Sequence, residues 1–335
     1  MNSHQTPTLS VVIPVYLSEQ VVDELYRRLK GVLDGMAPEM AHEIVYVDDG
    51  GADRSAELLD AIAERDESVR VLHLSRNFGH QIAITAGLDH AIGDAVVVMD
   101  DDLQDPPEVI PEMVAKWREG FETVFAVRDR REGEGAIKLT AAKAFYRVLG
   151  WLSDTHIPVD AGDFRLMDRV VVDAIGGMRE ESRYLRGMVA WAGFRQTSVA
   201  YVRNRRFAGR TNYSLRRLVR LGMDGVTSFS AWPLALSARF GVVVMCVAFA
   251  YAAVVLYKRL VDPASILPGT TSVLIAVLFL GGVQLVSIGM LGAYTSRIYY
   301  ETKRRPLYLV SRVSGAATGQ RPAPDDRCQD GGTAR

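Results

Sequence analysis

Ala95-Val96-Val97-Val98-Met99-Asp100-Asp101-Asp102-Leu103-Gln104-Asp105-Pro106-Pro107-Glu108 holds the plan of the front half of the chain. An apolar run without polar alternation is what a strand buried on both faces requires. The run stops at three consecutive aspartates, and a helix can start at the prolines that follow. Outward from this point the pattern recurs over Leu9 to Val15, Glu43 to Val47, Val69 to Leu74 and Thr123 to Val127, with amphipathic helical stretches between. Alternation of this kind predicts an α/β domain, a parallel sheet covered by helices, with its ligand site at the carboxyl ends of the strands. The segment from Ala136 to about Ala200 mixes helical periodicity with short strands and is expected to complete the same domain. No internal repeat is visible.

A chain of 335 residues with 48% hydrophobic content builds one substantial core and leaves apolar sequence over. The formal net charge of -1 hides an acid-rich first half and a crowding of Arg and Lys between about Arg203 and Arg220 and again near Arg305. That asymmetry points to a surface or membrane partner rather than to nucleic acid. The two cysteines, Cys246 and Cys328, exclude a disulfide framework or a Cys-based zinc site and fit a reducing compartment. Met1 to Ser10 lacks the basic and apolar regions of a secretion signal, so the front domain is expected in the cytosol.

Beyond Arg203, Leu215, Leu218, Val219, Met223, Val226 and Phe229 recur at helical spacing with Arg216, Arg217 and Arg220 elsewhere, as in an interfacial helix or a docked surface helix. Two apolar runs follow, about 240–257 and 273–293. At roughly 1.5 Å per residue, each covers most or all of a hydrocarbon core of roughly 30 Å. They read as a transmembrane hairpin. Basic flanks outside the hairpin, including Arg297, Lys303, Arg304 and Arg305, against Lys258 and Arg259 in the loop, place both termini in the cytoplasm. The expected layout is a catalytic domain over 1–210, juxtamembrane amphipathic helices over 211–235, two spans within 236–300, and a basic segment and tail over 301–335, disordered from Ser311.

Three adjacent carboxylates repel one another unless a cation or a solvated bend neutralises them. If the strand persists, Asp100 and Asp102 point the same way, and with the Gln104 carbonyl they offer the hard oxygen ligands that Mg2+ or Mn2+ takes. An acidic turn with Asp capping the next helix fits the same residues. Two other strand ends add Pro14, Tyr16 and Glu19, and Asp48-Asp49-Gly50-Gly51; such carboxylates accept hydrogen bonds from a base or ribose, and the glycines allow close backbone approach. The six histidines are scattered without ligand spacing, and His80 and His90 read as helix or loop residues.

In order, strand-Pro14-Val15-Tyr16, Val47-Asp48-Asp49-Gly50, Arg76-Asn77-Phe78-Gly79, the acidic block and Gly162-Asp163-Phe164-Arg165-Leu166 resemble the inverting A-type glycosyltransferases of the dolichol-phosphate mannose synthase and bacterial GtrB and ArnC group. The resemblance covers roughly Leu9 to Arg305. It implies a Rossmann-like nucleotide-sugar-binding domain of the GT-A type followed by a two-helix transmembrane hairpin. It places Pro14, Tyr16, Glu19, Asp48, Asp49, Asp100 and Asp101 around the donor, Asp100, Asp102 and Gln104 on the metal, and Asp163, with Asp102 and Arg206, at the reacting groups. Arg203, Arg206, Gly209, Thr211 and Tyr213 look like the family's acceptor loop. Leu17-Ser18 replaces the usual Asn-Glu pair, with Glu19 as a stand-in, and Asn212 stands where lysine is common.

The implied reaction is inverting transfer from a nucleotide sugar, UDP-glucose first among the donors, to undecaprenyl or another polyprenyl phosphate at the cytoplasmic face of a plasma membrane, by a homo-oligomer. A phosphate monoester is already anionic at neutral pH, so Asp163 is expected to orient rather than abstract a proton, with the base role as its alternative. A processive polysaccharide synthase and a non-catalytic nucleotide-sugar-binding membrane protein are the competing readings; no Gln-x-x-Arg-Trp motif supports the former.

Overall fold

In the computed structural model, residues 6–128, 161–181, 183–202 and 269–315 are described, with single positions between 239 and 261. The apolar runs are strands. β1 (Thr8–Val15) is buried at every position after its first, β2 (Ala41–Asp48) at every position from Glu43, and β3 (Val69–Leu74) and β4 (Ala95–Val98) throughout. β1 pairs in parallel with β2 on one side and β4 on the other, and β2 with β3. The chain thus steps outward from β1 to β3, then returns to the far side of β1. The carboxyl ends of β1 and β4 flank that switch point, where a sheet of this kind opens a ligand crevice.

Alternation along the strands sorts side chains onto two helical layers. Leu9, Val11, Ile13 and Val15 face α1 (Val22–Asp34), α2 (Ser55–Arg65) and α4 (Ile110–Arg118); α1 contributes Leu25, Leu29 and Leu33, four apart on one stripe. Val12, Val45 and Val47 face the opposite layer, α3 (His80–His90), α5 (Arg169–Gly177) and α6 (Leu185–Ala192). Gly87 lets α3 lie flush on β1, since a Cβ there would stand 2.2 Å from Val12 Cγ1.

The sheet corrects the all-parallel expectation. Among the described residues it has eight strands in the order β7-β5-β6-β4-β1-β2-β3-β8, completed by β5 (Thr123–Arg128), β6 (Ala161–Asp168), β7 (Gln196–Tyr201) and β8 (Val310–Gly315). β6 runs antiparallel between β4 and β5, and β8 antiparallel on β3, so the sheet is mixed. Local sequence sets a strand's burial but not its direction, which depends on how distant segments return. β8 likewise corrects the first residues, 311–315, of the tail expected to be disordered from Ser311, the rest of which lies outside the described residues: Val310 and Val313 in an otherwise polar segment pair with the free edge of β3, which supplies the backbone partners their own sequence lacks.

A second compact unit comprises 151–154 and 214–305. Within it α7 (Thr270–Lys303) contains the whole expected span 273–293 and has no ionisable Asp, Glu, Lys or Arg before Arg297. Most of its described apolar side chains are exposed, Val273 at 61% and Leu285 at 71%. The segment Phe279–Lys303 is the one helix among the described residues long and apolar enough to cross a membrane. Most of the expected span 240–257 lies outside the described residues, although single positions such as Phe240, Val243 and Phe249 are helical and exposed. The expected juxtamembrane helices over 211–235 lie outside them entirely.

Candidate active site

Three chain ends meet at the switch point. β1 ends at Val15; Tyr16 is half-exposed and Leu17 adopts a positive φ of 56°. β4 ends at Val98, and the backbone turns through Asp101 and Asp102 to Leu103, again at φ 56°. The third end is the start of β6. Val98 pairs with Arg165 across the antiparallel register, and continuing that register by two positions sets Asp163 opposite Asp100.

The three aspartates of the triplet part ways. Asp101 Oδ2 accepts from Ser18 Oγ at 2.5 Å and the Tyr16 N–H at 3.3 Å, tying the two loops together. Asp102 Oδ1 accepts from the Gln104 N–H at 3.1 Å, shaping the turn. Asp100 faces inward, its Oδ1 buried without a well-formed hydrogen bond among the described residues and 3.3 Å from His80 Nε2. Because the strand stops at Val98, the alternation that would have aligned Asp100 with Asp102 does not apply. One ligand atom from each of His80, Asp100 and Asp163 lies within 4.8 Å of the others instead. Asp105, just beyond, is buried and accepts the Tyr201 hydroxyl from β7.

Asp163 is 7% exposed and heavily held. Its Oδ1 accepts from Arg165 at 2.9 Å and Arg186 Nε at 3.0 Å, while His80, Gln81 and the second Arg186 nitrogen each stand 3.3 Å from Oδ2. Burial alone would raise its pKa, but the His80 hydrogen bond and the charges of Arg186 and Arg165 hold it well below the ordinary carboxylate value. For His80, burial favours the neutral ring, and the Asp163 hydrogen bond with the charges of Asp100 and Asp163 overrides it, raising the pKa to about 9. Asp100, unlike Asp163, moves up. Burial pushes it up to about 7; His80 opposes, and the charges of Asp163, Asp105 and Asp102 add to the rise.

The rim of β2 is built from the protein's own contacts. Asp49 accepts the Phe78 N–H at 2.7 Å and the Gly79 N–H at 2.9 Å, fixing the loop that leads into α3 and so the position of His80. Gly50, at φ 69°, leaves no room for a Cβ, which would stand 2.7 Å from the Arg76 carbonyl carbon. Asp48 is buried, with Oδ2 on His73 Nδ1 at 2.9 Å and Oδ1 without a hydrogen-bond partner among the described residues. Glu19 accepts the Arg54 N–H at 3.2 Å, and Pro14 is buried within β1.

The structure therefore brings together Tyr16 with Asp101, and Asp100 with Asp163. It does not gather Asp100, Asp102 and Gln104 as aligned strand residues. Arg203, Arg206, Gly209, Thr211 and Tyr213 lie outside the described residues. Sequence reasoning missed His80, Gln81 and Arg186. His80 directly follows the Arg76-Asn77-Phe78-Gly79 block, and a helix start after such a block is the one local sign of it; Arg186, 23 residues from Asp163, has none.

The acidic cluster suits a hard divalent cation. Asp100 has a buried, unsatisfied carboxylate oxygen, and its raised pKa marks negative charge in want of a counter-charge. Asp163 suits it less, because two guanidinium groups already neutralise it and would repel a dication.

A family model, glycosyl transferase family 2, matches residues 10–176. The uncharacterized glycosyltransferase YkcC of Bacillus subtilis is 47% identical over 306 residues, covering 91% of this chain and 94% of its own. A prophage bactoprenol glucosyl transferase homolog of Escherichia coli K12 is 39% identical, covering 91% of this chain and 99% of its own. The bactoprenol glucosyl transferase of Shigella phage SfII is also 39% identical, covering 91% and 97%.

Proposed function

The chain belongs to glycosyl transferase family 2, and we propose that it moves a sugar from a nucleotide-sugar donor onto a polyprenyl phosphate at a membrane surface. It is a glycosyltransferase with a GT-A type mixed α/β fold. The observation that carries the acceptor assignment is likeness over nearly the whole chain, apolar rear segment included, to proteins named bactoprenol glucosyl transferase. α7 supports it, because an acceptor with a polyprenyl tail presents its phosphate at headgroup level and an apolar helix keeps the enzyme there.

The donor diphosphate sits, in this reading, at the carboxyl ends of β1 and β4, with Pro14, Tyr16, Glu19, Asp48, Asp49 and Asp101 forming the nucleotide side. Asp100 and Asp102, with Gln104, would hold Mg2+ or Mn2+. A bound cation supplies charge neutralisation for the leaving nucleotide diphosphate. Asp163 orients rather than abstracts: a carboxylate held by Arg165 and Arg186 far below its usual pKa is a poor base, and an anionic phosphate needs none. His80, on the same carboxylate, presents positive charge beside the acidic cluster. Arg203, Arg206, Thr211 and Tyr213 would receive the acceptor phosphate, since guanidinium matches phosphate oxygens in a bidentate fork. Attack from the face opposite the nucleotide inverts the anomeric centre.

UDP-glucose is the proposed donor and undecaprenyl phosphate the proposed acceptor. The proposed arrangement is a homo-oligomer with two spans, both termini and the catalytic domain on the cytoplasmic side. The test uses purified full-length protein in detergent with undecaprenyl phosphate and a panel of radiolabelled nucleotide sugars, with and without chelator, beside Asp102→Ala. Metal-dependent label in the lipid phase from one donor, lost in the variant, is the expected result. A donor that binds yet labels no lipid under any condition overturns the polyprenyl acceptor.

A further inference from the structure

A chain of side-chain contacts leaves the donor side of the site and ends on β8, the strand that follows the apolar helix in sequence. Asp48 Oδ2 lies 2.9 Å from His73 Nδ1, and His73 Nε2 lies 2.9 Å from Asp60 Oδ1 on α2. The other oxygen of Asp60 accepts from Arg312 on β8 at 2.8 Å. His73 and Asp48 are almost fully buried, Asp60 about a quarter exposed, and Arg312 half exposed, so the chain runs from the interior to the surface. Burial would raise the Asp60 carboxyl, but hydrogen bonds from Ser314, Arg312 and His73 outweigh it and hold it below the ordinary range.

The backbone supports the same connection. His73 pairs with Arg312 and Leu74 with Val310, so the ladder slips at this point and leaves Ser311 as the extra residue. Ser311 Oγ donates to the His73 carbonyl oxygen at 2.9 Å, closing the irregularity onto the histidine itself. Bulges of this kind re-aim side chains beside functional sites. On the other flank the Ser75 N–H donates to the Leu309 carbonyl oxygen at 2.9 Å, and the Tyr308 hydroxyl to Asp89 at 2.9 Å. β8 is thus fastened to the edge of β3 on both sides of the slip.

The arrangement leaves one Asp48 oxygen fixed by His73 and the other buried without a hydrogen-bond partner among the described residues. A buried acceptor held in one orientation is costly unless a donor group arrives to satisfy it. We propose that β8, acting through Arg312, Asp60 and His73, sets the orientation of Asp48 and thereby tunes affinity for the nucleotide of the donor. The three are positioning residues, and the strand after the membrane helix becomes a working part of the donor site. This inference rests on Asp48 lying on the nucleotide side, as proposed above.

The test measures UDP and GDP binding by calorimetry on the full-length protein in detergent, with melting curves, for wild type, Arg312→Ala, Arg312→Lys, Asp60→Ala and the Asp60→Ala/Arg312→Ala pair. Arg312→Ala and Asp60→Ala are expected to weaken binding of the preferred nucleotide about three- to tenfold, the scale at which residues along a coupling network act. Arg312→Lys restores most of it. The pair is no worse than Asp60→Ala alone, because both break one chain. Nucleotide affinity within about twofold of wild type in all variants overturns the proposal, as does a loss that follows the melting midpoint and is not recovered by lysine. If wild type transfers sugar yet Asp48→Asn leaves nucleotide affinity unchanged, the placement of Asp48 fails and the inference falls with it. If wild type binds neither nucleotide, the donor reading itself is overturned.

Discussion

Replacing Asp163 by Asn separates an orienting carboxylate from a catalytic base. Arg165 is 2% exposed and lies 2.9 Å from Asp163 Oδ1; its remaining hydrogen bonds go to the carbonyl oxygens of Asp163 and Gly162 at 3.2 and 3.4 Å. Removing one partner of a buried pair costs about 3–5 kcal/mol, because the other charge stays buried. The amide keeps an acceptor oxygen, so about 3 kcal/mol is expected, at the low end of that range. For a domain of this size each kcal/mol moves the midpoint by about 2–4 °C, so Asp163→Asn should melt roughly 6–12 °C below wild type.

The sign of the pH dependence follows from the same contacts. A carboxyl with a depressed folded pKa contributes stability that is present above its unfolded value of 3.8 and is lost as pH falls through the folded value. The gap between wild type and variant should therefore close in acid, stay level between about pH 5 and 6, and narrow again as pH rises toward 9, because the raised pKa of His80 rests on the same carboxylate. The assay is a melting series over pH beside initial rates with saturating donor. A variant that melts within about 2 °C of wild type, loses about a hundredfold in kcat, and has an alanine counterpart rescued by formate would refute the orienting role and restore the base.

Proton and cation compete at Asp100, so Mn2+ affinity measured by calorimetry should fall about tenfold per pH unit below about 7 and level off above it; a flat profile across that range removes Asp100 from the ligand set. Gly50→Ala forces a Cβ to within 2.7 Å of the Arg76 backbone at a positive φ, which should cost about 1–3 kcal/mol in stability. It should also loosen nucleotide binding by displacing the loop that Asp49 holds; a crystal structure or binding assay in which alanine changes neither counts against that loop as part of the site.

The apolar runs were legible as strands because burial on both faces leaves no polar alternation, and the helix stripe Leu25, Leu29, Leu33 was legible for the complementary reason. The acidic block announced itself through its position at a strand end. Local sequence thus determined the buried strands β1 to β5, the apolar character of α7 and the end of the sheet where carboxylates collect. It did not determine strand direction. The reversal of β6 decides that Asp163 meets Asp100, and the end of β4 at Val98 decides that Asp101 serves the Tyr16–Ser18 loop and Asp102 the turn at Gln104. His80 and Arg186 join the cluster only because α3 and α6 pack on the same face of the sheet. Likewise β8, polar and short, had no signal of its own: its strand state comes from the unpaired edge of β3, a partner more than two hundred residues away in the chain. Burial is written in each residue's own chemistry, whereas adjacency of charged groups depends on chain paths that the local sequence does not encode.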